Sequence, residues 1–315
     1  MPDLKFGYAI NSWDLVRREQ QERAFKVLST CGFRSVELVQ GSARWAPLGR
    51  REEIETNFGS VKKFADFLRA CGIDRISSWF YDPARPAIEE GSGGRSASNP
   101  RDHQGIVDST RGFARTLQEL GGSCLVVRPM GSFWREAPLT DDKLKTAADC
   151  WNKVGMMTME YGVQTVVHPD FLSAVRAAED LDKFLKLTDQ KLVGLAVDTA
   201  EVTVAGYDPV KLYEKYPSRV KHLHFKDTHD RDVLNEYKLA NAEFQLLTSG
   251  GKRDVSRWFW EMGTPEGLVD FPRLVKSLKA NDYAGWVIVE SDQSPDPAES
   301  ALLNAYYVRT VLAKV

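Results

Sequence analysis

No apolar run in this sequence approaches the roughly 20 residues that a membrane-spanning helix needs, so no transmembrane segment is expected. Charge of one sign is also missing. Forty-two basic residues stand against 44 acidic ones, a net charge of −2, which lacks the basic footprint of a nucleic-acid binder. Cysteine is scarce: Cys31, Cys71, Cys124 and Cys150 are scattered, with no CxxC spacing. They read as reduced structural thiols rather than as a disulfide framework or a zinc knuckle. The opening Met1-Pro2-Asp3-Leu4-Lys5 has no apolar stretch of the secretory kind, so a cytoplasmic protein is expected. Internal repeats are absent, and Gly91–Ser98 is the one low-complexity tract. No glycine-rich dinucleotide turn follows the first strand candidate, which weighs against a doubly wound open sheet.

The 315 residues do contain a regular alternation. Eight short hydrophobic runs read as strands: Phe6–Ile10, Ser35–Val39, Arg75–Phe80, Cys124–Arg128, Gln164–His168, Gly194–Asp198, Lys221–Phe225 and Trp286–Glu290. Near-continuous apolar runs of this kind suit parallel strands covered on both faces. Between them lie helical patterns over Arg17–Cys31, Ile54–Cys71, Leu144–Tyr161, Ala177–Leu187, Pro209–Tyr216, Pro272–Ala280 and Glu299–Ala313, with Gly72 as a stop signal. Strand and helix in alternation predict an α/β fold, a single (β/α)8 barrel over residues 1–315. Two stretches break the rhythm. Pro83–Arg101, rich in Gly, Ser, Pro and Arg, reads as a loop at the mouth. Residues 228–261, ending near Trp258, Phe259 and Trp260, form a long insertion after strand seven: a lid, a substrate wall or a subunit contact.

Reactive groups in such barrels project from the C-terminal strand ends. There the sequence places Glu37, His168, Asp170, Asp198, Glu201, His222, His224, Lys226, Asp227, Glu290 and Asp292. A lone buried His or Asp is usually a satisfied core group. Several on adjacent strands point instead to a cation, because burying them together without one is costly. Imidazole mixed with carboxylate suits Mn²⁺, Mg²⁺, Zn²⁺, Co²⁺ or Fe²⁺ rather than a thiolate-seeking ion. His222 and His224 are two apart and face the same side of a strand, so only the outer one, His224, is well placed for a metal at the mouth. Trp13, Glu37, Trp79, Arg128, Asp170 and His222 are candidate substrate contacts, with Phe133 and Trp134 nearby, and each reads equally well as packing. Lys226 is placed to hold an oxyanion or assist proton transfer, or simply to pair with Asp227.

Taken in order, Asp198-Thr199-Ala200-Glu201, His222-Leu223-His224-Phe225-Lys226-Asp227, Gly263 with Gly267-Leu268-Val269-Asp270-Phe271, and Tyr283-Ala284-Gly285-Trp286 leading to Glu290 resemble the sugar-phosphate isomerase/epimerase superfamily of xylose-isomerase-like barrels, which includes inosose dehydratase and D-tagatose 3-epimerase. The resemblance implies one divalent ion, Mn²⁺ favoured, held by residues from strands five to eight. Asp198, His224 and Glu290 match that pattern, and His168 stands where the family carries a Glu. His168 is then either the fourth ligand or a general base free of the metal. Asp170 and Glu201 replace histidines of the family pattern, so the metal end looks retained and the substrate end rebuilt.

The resemblance implies proton abstraction next to a carbonyl, by a lyase or isomerase acting on an oxidised sugar, with His168, Glu201 and Lys226 as the groups that handle protons and charge. The insertion and the opening Gly7-Tyr8-Ala9-Ile10-Asn11-Ser12-Trp13 are similar to the larger subunit of bacterial C-glycoside deglycosidases. That likeness favours β-elimination from a 3-oxo-glycoside, in an oligomer with a smaller partner subunit. Inosose dehydratase or ketose 3-epimerase activity is the alternative, and a non-catalytic sugar-binding subunit is a third reading.

Overall fold

In the computed structural model the residues described are 4–40, 47–84, 94–176, 178–240, 242 and 257–315. The eight hydrophobic runs form strands β1 (Lys5–Ala9), β2 (Ser35–Val39), β3 (Arg75–Tyr81), β4 (Cys124–Val127), β5 (Gln164–Val167), β6 (Val193–Asp198), β7 (Val220–Phe225) and β8 (Trp286–Val289). Each pairs in parallel with its successor, and β8 closes on β1, giving a (β/α)8 barrel. Strand ends depart from the sequence reading by one residue or so, the usual uncertainty at an element's edge.

The outer layer comprises α1 (Arg18–Thr30), α2 (Arg51–Phe58), α3 (Val61–Ala70), α4 (His103–Glu119), the short α5 (Phe133–Glu136), α6 (Asp141–Met159), α7 (Ala178–Leu187), α8 (Thr199–Val204), α9 (Pro209–Lys215), α10 (Phe271–Ala280) and α11 (Pro297–Thr310). Several of these correct the sequence reading, which placed no helix at α5 or α8. The single helix expected over Ile54–Cys71 is two helices, because Gly59 ends α2 in the left-handed conformation (φ 82°) and the Ser60 side chain caps α3 by accepting from Lys63 N–H. Helix α4 went unrecognised, since it directly follows the Gly/Ser/Pro-rich loop; it begins after a 3₁₀ turn at Pro100–Asp102. No helix among the described residues is long and apolar enough to cross a membrane.

Side chains alternate across each strand. One parity packs outward against the helices: Leu38, Leu125, Val127, Val167, Leu195, Val197, Leu223, Phe225, Val287 and Val289 all join the main core. The other parity fills the barrel. There Cys124, Val126, Val166 and Ala196, with Phe80 against them, form a small apolar plug. Extending that inner parity by one step carries Val166 to His168 and Ala196 to Asp198, while His222 leads to His224 and Ile288 to Glu290. Period two therefore delivers four ionisable groups to the inside of the C-terminal rim.

The closing end of the 228–261 insertion is tied to the barrel. Asp227 and Trp260 exchange both backbone hydrogen bonds at 2.9 Å. Trp258 and Phe259 pack on Phe171 in an apolar cluster with Leu172, Ala200, Val204 and Ala242. Of the insertion, 241 and 243–256 lie outside the described residues, as do 85–93 of the Pro83–Arg101 loop. Asp227 does not pair with Lys226. Its Oδ1 accepts from the amides of Thr228 (2.9 Å) and Val269 (3.1 Å), pinning the Gly263–Asp270 turn.

Close packing of helix on strand leads to one prediction. A Cβ at Gly155, inside α6, would lie 2.6 Å from the Leu192 carbonyl oxygen, a backbone atom that cannot swing aside. Alanine is the better helix former by about 1 kcal/mol. Overpacking against backbone costs roughly 1–3 kcal/mol, so Gly155→Ala should be net destabilising in urea unfolding.

Candidate metal and catalytic site

The site lies where β5 to β8 end, and each side chain is placed by its own element. Asp198 caps α8: its Oδ1 accepts from the amides of Ala200 and Glu201, both at 3.0 Å. That fixes the carboxylate and turns Oδ2 into the barrel mouth. His168 Nε2 stands 3.3 Å from Oδ2 and His224 Nδ1 stands 3.6 Å from it. Glu290 Oε1 is 3.2 Å from the same His224 nitrogen. These are the four ligand candidates, at separations suited to sharing one ion. One donor atom each of His168, Asp198 and His224 lies within 4.8 Å of the others, as does one each of Glu37, His222 and His224.

Beneath them is a second cluster, fully enclosed. Glu37 Oε2 bonds His222 Nε2 at 2.9 Å, and Glu37 Oε1 stands 3.0 Å from His224 Nε2. Glu37 and His222, expected from sequence as substrate contacts, are fully buried here and face each other and His224. Their geometry suits another task. With Glu37 behind Nε2, the His224 ring presents Nδ1 toward Asp198 and Glu290. A carboxylate behind the far nitrogen of an imidazole is the usual partner of a metal-binding histidine.

Lys226 is the cation of the site. Its Nζ lies 3.0 Å from Asp198 Oδ2, 2.8 Å from Glu290 Oε2 and 3.6 Å from Glu201 Oε1, and it also bonds Asp292. The Phe259 ring covers it at 4.3 Å. Glu201 Oε2 accepts from the Phe171 amide at 3.0 Å.

Burial works against every charge here, and neighbours decide which survive. Burial would raise Asp198, but Lys226, His168 and His224 outweigh it and hold the carboxyl well below its usual range. Burial lifts Glu201 well above the ordinary carboxylate value, with Lys226 opposing only in part. Glu290 is pushed up to about 7, again chiefly by burial, against the pull of His224 and Lys226. Burial would lower His224, but Glu290 and Glu37 raise it well above the usual imidazole value. A histidine made to hold its proton by surrounding carboxylates reports a field that favours cations. That field, the nitrogen and oxygen donors, and the buried His224 ring nitrogens that lack hydrogen-bond geometry together fit a divalent ion.

The other candidates are dispersed. Arg128 is locked: its Nε lies 2.7 Å from Asp170 Oδ2, its Nη2 donates to Asp170 Oδ1 at 3.0 Å, and its Nη1 donates to Asp82 at 3.3 Å. Asp170 in turn caps the amides of Leu172 and Ser173. Trp13 belongs to the main apolar core. Trp79 points outward onto Phe113 of α4 (5.0 Å between rings) and does not reach the mouth. Its neighbour Phe80, on the inner parity, faces His168 edge-on at 5.5 Å. Phe133 packs on Tyr237 and Trp134 lies under Arg135. Phe80 and Phe259 are neighbours of the site that were not named as site residues from sequence. Strand parity carried the signal for Phe80; nothing in the sequence signals that Phe259 folds over Lys226.

Two outcomes follow. Glu37→Gln removes the charge between two buried imidazoles, which should cost about 3–5 kcal/mol in chemical unfolding. The same change should weaken divalent-ion affinity roughly 10–100-fold in calorimetric titration. Second, a protonated Glu290 cannot ligate. Its raised value of about 7 therefore means that ion affinity should climb as pH rises through neutrality and fall away below it.

Comparison with known proteins agrees with this geometry. A family model described as a xylose isomerase-like TIM barrel matches residues 25–306. The inosose dehydratase of Clostridium perfringens is 30% identical, over 98% of this chain and 97% of its own length. That of Clostridium beijerinckii is 31% identical over 61% of this chain and 66% of its own length, so the match spans just under two-thirds of that relative. Among solved structures, the IOLI protein with a bound zinc atom superposes with a TM-score of 0.65 at 15% identity, covering 97% of this chain and 96% of that one. The donor set here suits a divalent ion without selecting manganese. The chain belongs to the xylose isomerase-like TIM barrel family, within the sugar-phosphate isomerase/epimerase group that its strand-end motifs resemble.

Proposed function

We propose that the protein is a divalent-metal-dependent dehydratase of a small keto-cyclitol or keto-sugar, acting by proton abstraction beside a carbonyl and β-elimination of a hydroxyl. The observation that carries this is the convergence of His168, Asp198, His224 and Glu290 beside a protonatable Glu201 and the ammonium of Lys226. The inosose dehydratase relatives support elimination of water over release of an aryl group, the reading first favoured from sequence.

His168, Asp198, His224 and Glu290 are the residues that would hold the ion. When bound, the ion would act as a Lewis acid toward the substrate carbonyl. Glu201 then handles the proton. Its raised affinity makes its ionised form a stronger base than an ordinary carboxylate. The carbon-bound proton passes to Glu201, the electron pair left behind forms the new carbon–carbon double bond, and the departing β-hydroxyl takes the proton and leaves as water. Lys226 supplies fixed positive charge next to that exchange. Trp258 and Phe259, held by the Asp227–Trp260 pairing and by the bond from Trp258 N–H to Gln293 (2.7 Å), act as a fixed wall that limits water at the mouth. His168 is a ligand in this reading rather than a free base.

Chelator-treated protein should turn over a keto-inositol only after a divalent ion is restored. Glu201→Gln should lower kcat about 10²–10⁴-fold and leave ion affinity unchanged. His168→Asn should weaken ion affinity and activity together; lost activity with intact affinity would make His168 the base instead. Release of the aryl group from a 3-oxo-glycoside, with a keto-inositol inert, would return the assignment to deglycosylation. No turnover of either by the metal-loaded protein would leave a sugar-binding role.

A further inference from the structure

The oxygens that would hold the ion are the ones that hold Lys226. Asp198 Oδ2 is 3.0 Å from Lys226 Nζ and faces both His168 and His224, and Glu290 reaches Lys226 with Oε2 and His224 with Oε1. The Lys226 side chain is 2% exposed, closed in by Phe259 and surrounded by four carboxylates. One of the four differs from the rest. The Asp292 side chain is 25% exposed and stands nearer the opening, whereas those of Asp198, Glu201 and Glu290 are at most 9% exposed. Asp292 is itself steadied by Asn11.

We propose that Lys226 is a built-in counter-cation that contests Asp198 and Glu290 with the divalent ion, and that Asp292, which it already bonds, is the seat its ammonium keeps when the ion displaces it from the other two. Two cations on one carboxylate pair in a buried site repel strongly, so ion binding requires the ammonium to leave Asp198. Lysine suits this part: its charge is a compact point on a flexible four-carbon stem, and a small swing releases one carboxylate while keeping another. The rearrangement would also bring the ammonium toward the open side, where a ligand's oxygens arrive. Ion binding would thereby arm Lys226 as well as the carbonyl. This inference rests on the metal site described above.

The test is the affinity of chelated protein for Mn²⁺ and Zn²⁺, measured by isothermal titration on the wild type, Lys226→Met, Asp292→Asn and the double variant. Lys226→Met should bind the ion about tenfold more tightly, because the competing cation is gone. Asp292→Asn should bind it less tightly, because Lys226 has lost the seat it would keep. In the double variant the Asp292 effect should vanish. A simple long-range charge effect would instead persist at equal size in both backgrounds, and that result overturns the proposal. Unchanged affinity in Lys226→Met overturns it too. Should Lys226→Met fail to fold, unchanged or tighter binding by Asp292→Asn, which keeps the lysine, serves the same end. No ion bound by any of the four proteins would sink the metal site itself, a different failure from equal binding by all.

Discussion

Negative charge that must be neutralised without water governs the mouth of this barrel. Asp198, Glu201, Glu290 and Asp292 surround one ammonium, and Glu37 lies below them between two imidazoles. Left to themselves, buried carboxylates would take up protons. The arrangement instead divides them. Asp198, bonded to two amides and faced by Lys226, is held well below the usual carboxylate range; Glu201, with one amide and a more distant ammonium, is lifted well above it. Two carboxylates whose proton affinities are pushed apart beside one lysine are the pattern that separates acid and base roles.

The layers below exist to hold that division in place. Capping of α8 fixes Asp198 from the backbone, so its orientation does not depend on any flexible side chain. Glu37 fixes His224 from beneath, through a contact that joins β2 to β7 across the barrel interior. Inside the barrel, the buried side chains of Cys124, Val126, Val166 and Ala196 pack as an apolar plug on β4, β5 and β6. From above, the end of the insertion lays Phe259 over Lys226 and anchors itself on Asp227, Gln293 and Asn304. Precision at the rim is thus borrowed from rigid strands and one helix start rather than from loops.

Polar residues at the mouth divide into those that face the ion site and those that hold the frame. Arg128 illustrates the second group. A buried guanidinium with a bidentate aspartate on one side and Asp82 on the other has its donors spent on keeping the β3, β4 and β5 ends in register. Asp227 does comparable work for the turn before α10, holding amides rather than pairing with its neighbour Lys226.

The sequence by itself determined the barrel and its eight strands, and it singled out the four strand-end residues that the fold brings together. Alternating hydrophobic runs admit few topologies, and period two sends His168, Asp198, His224 and Glu290 to one face once the inner parity is known. Local signals also carried their weight: Asp198 before a helix start is a cap wherever it occurs. What local pattern could not decide was the partner of each charge. Glu37 and His222 are 185 residues apart, and Lys226 lies more than 60 residues from Glu290 and Asp292. Only closure of the barrel brings those side chains within hydrogen-bond reach. The same closure decides that Trp79 belongs to a helix interface and Phe80 to the site, a distinction of one residue that depends on which face of β3 turns inward.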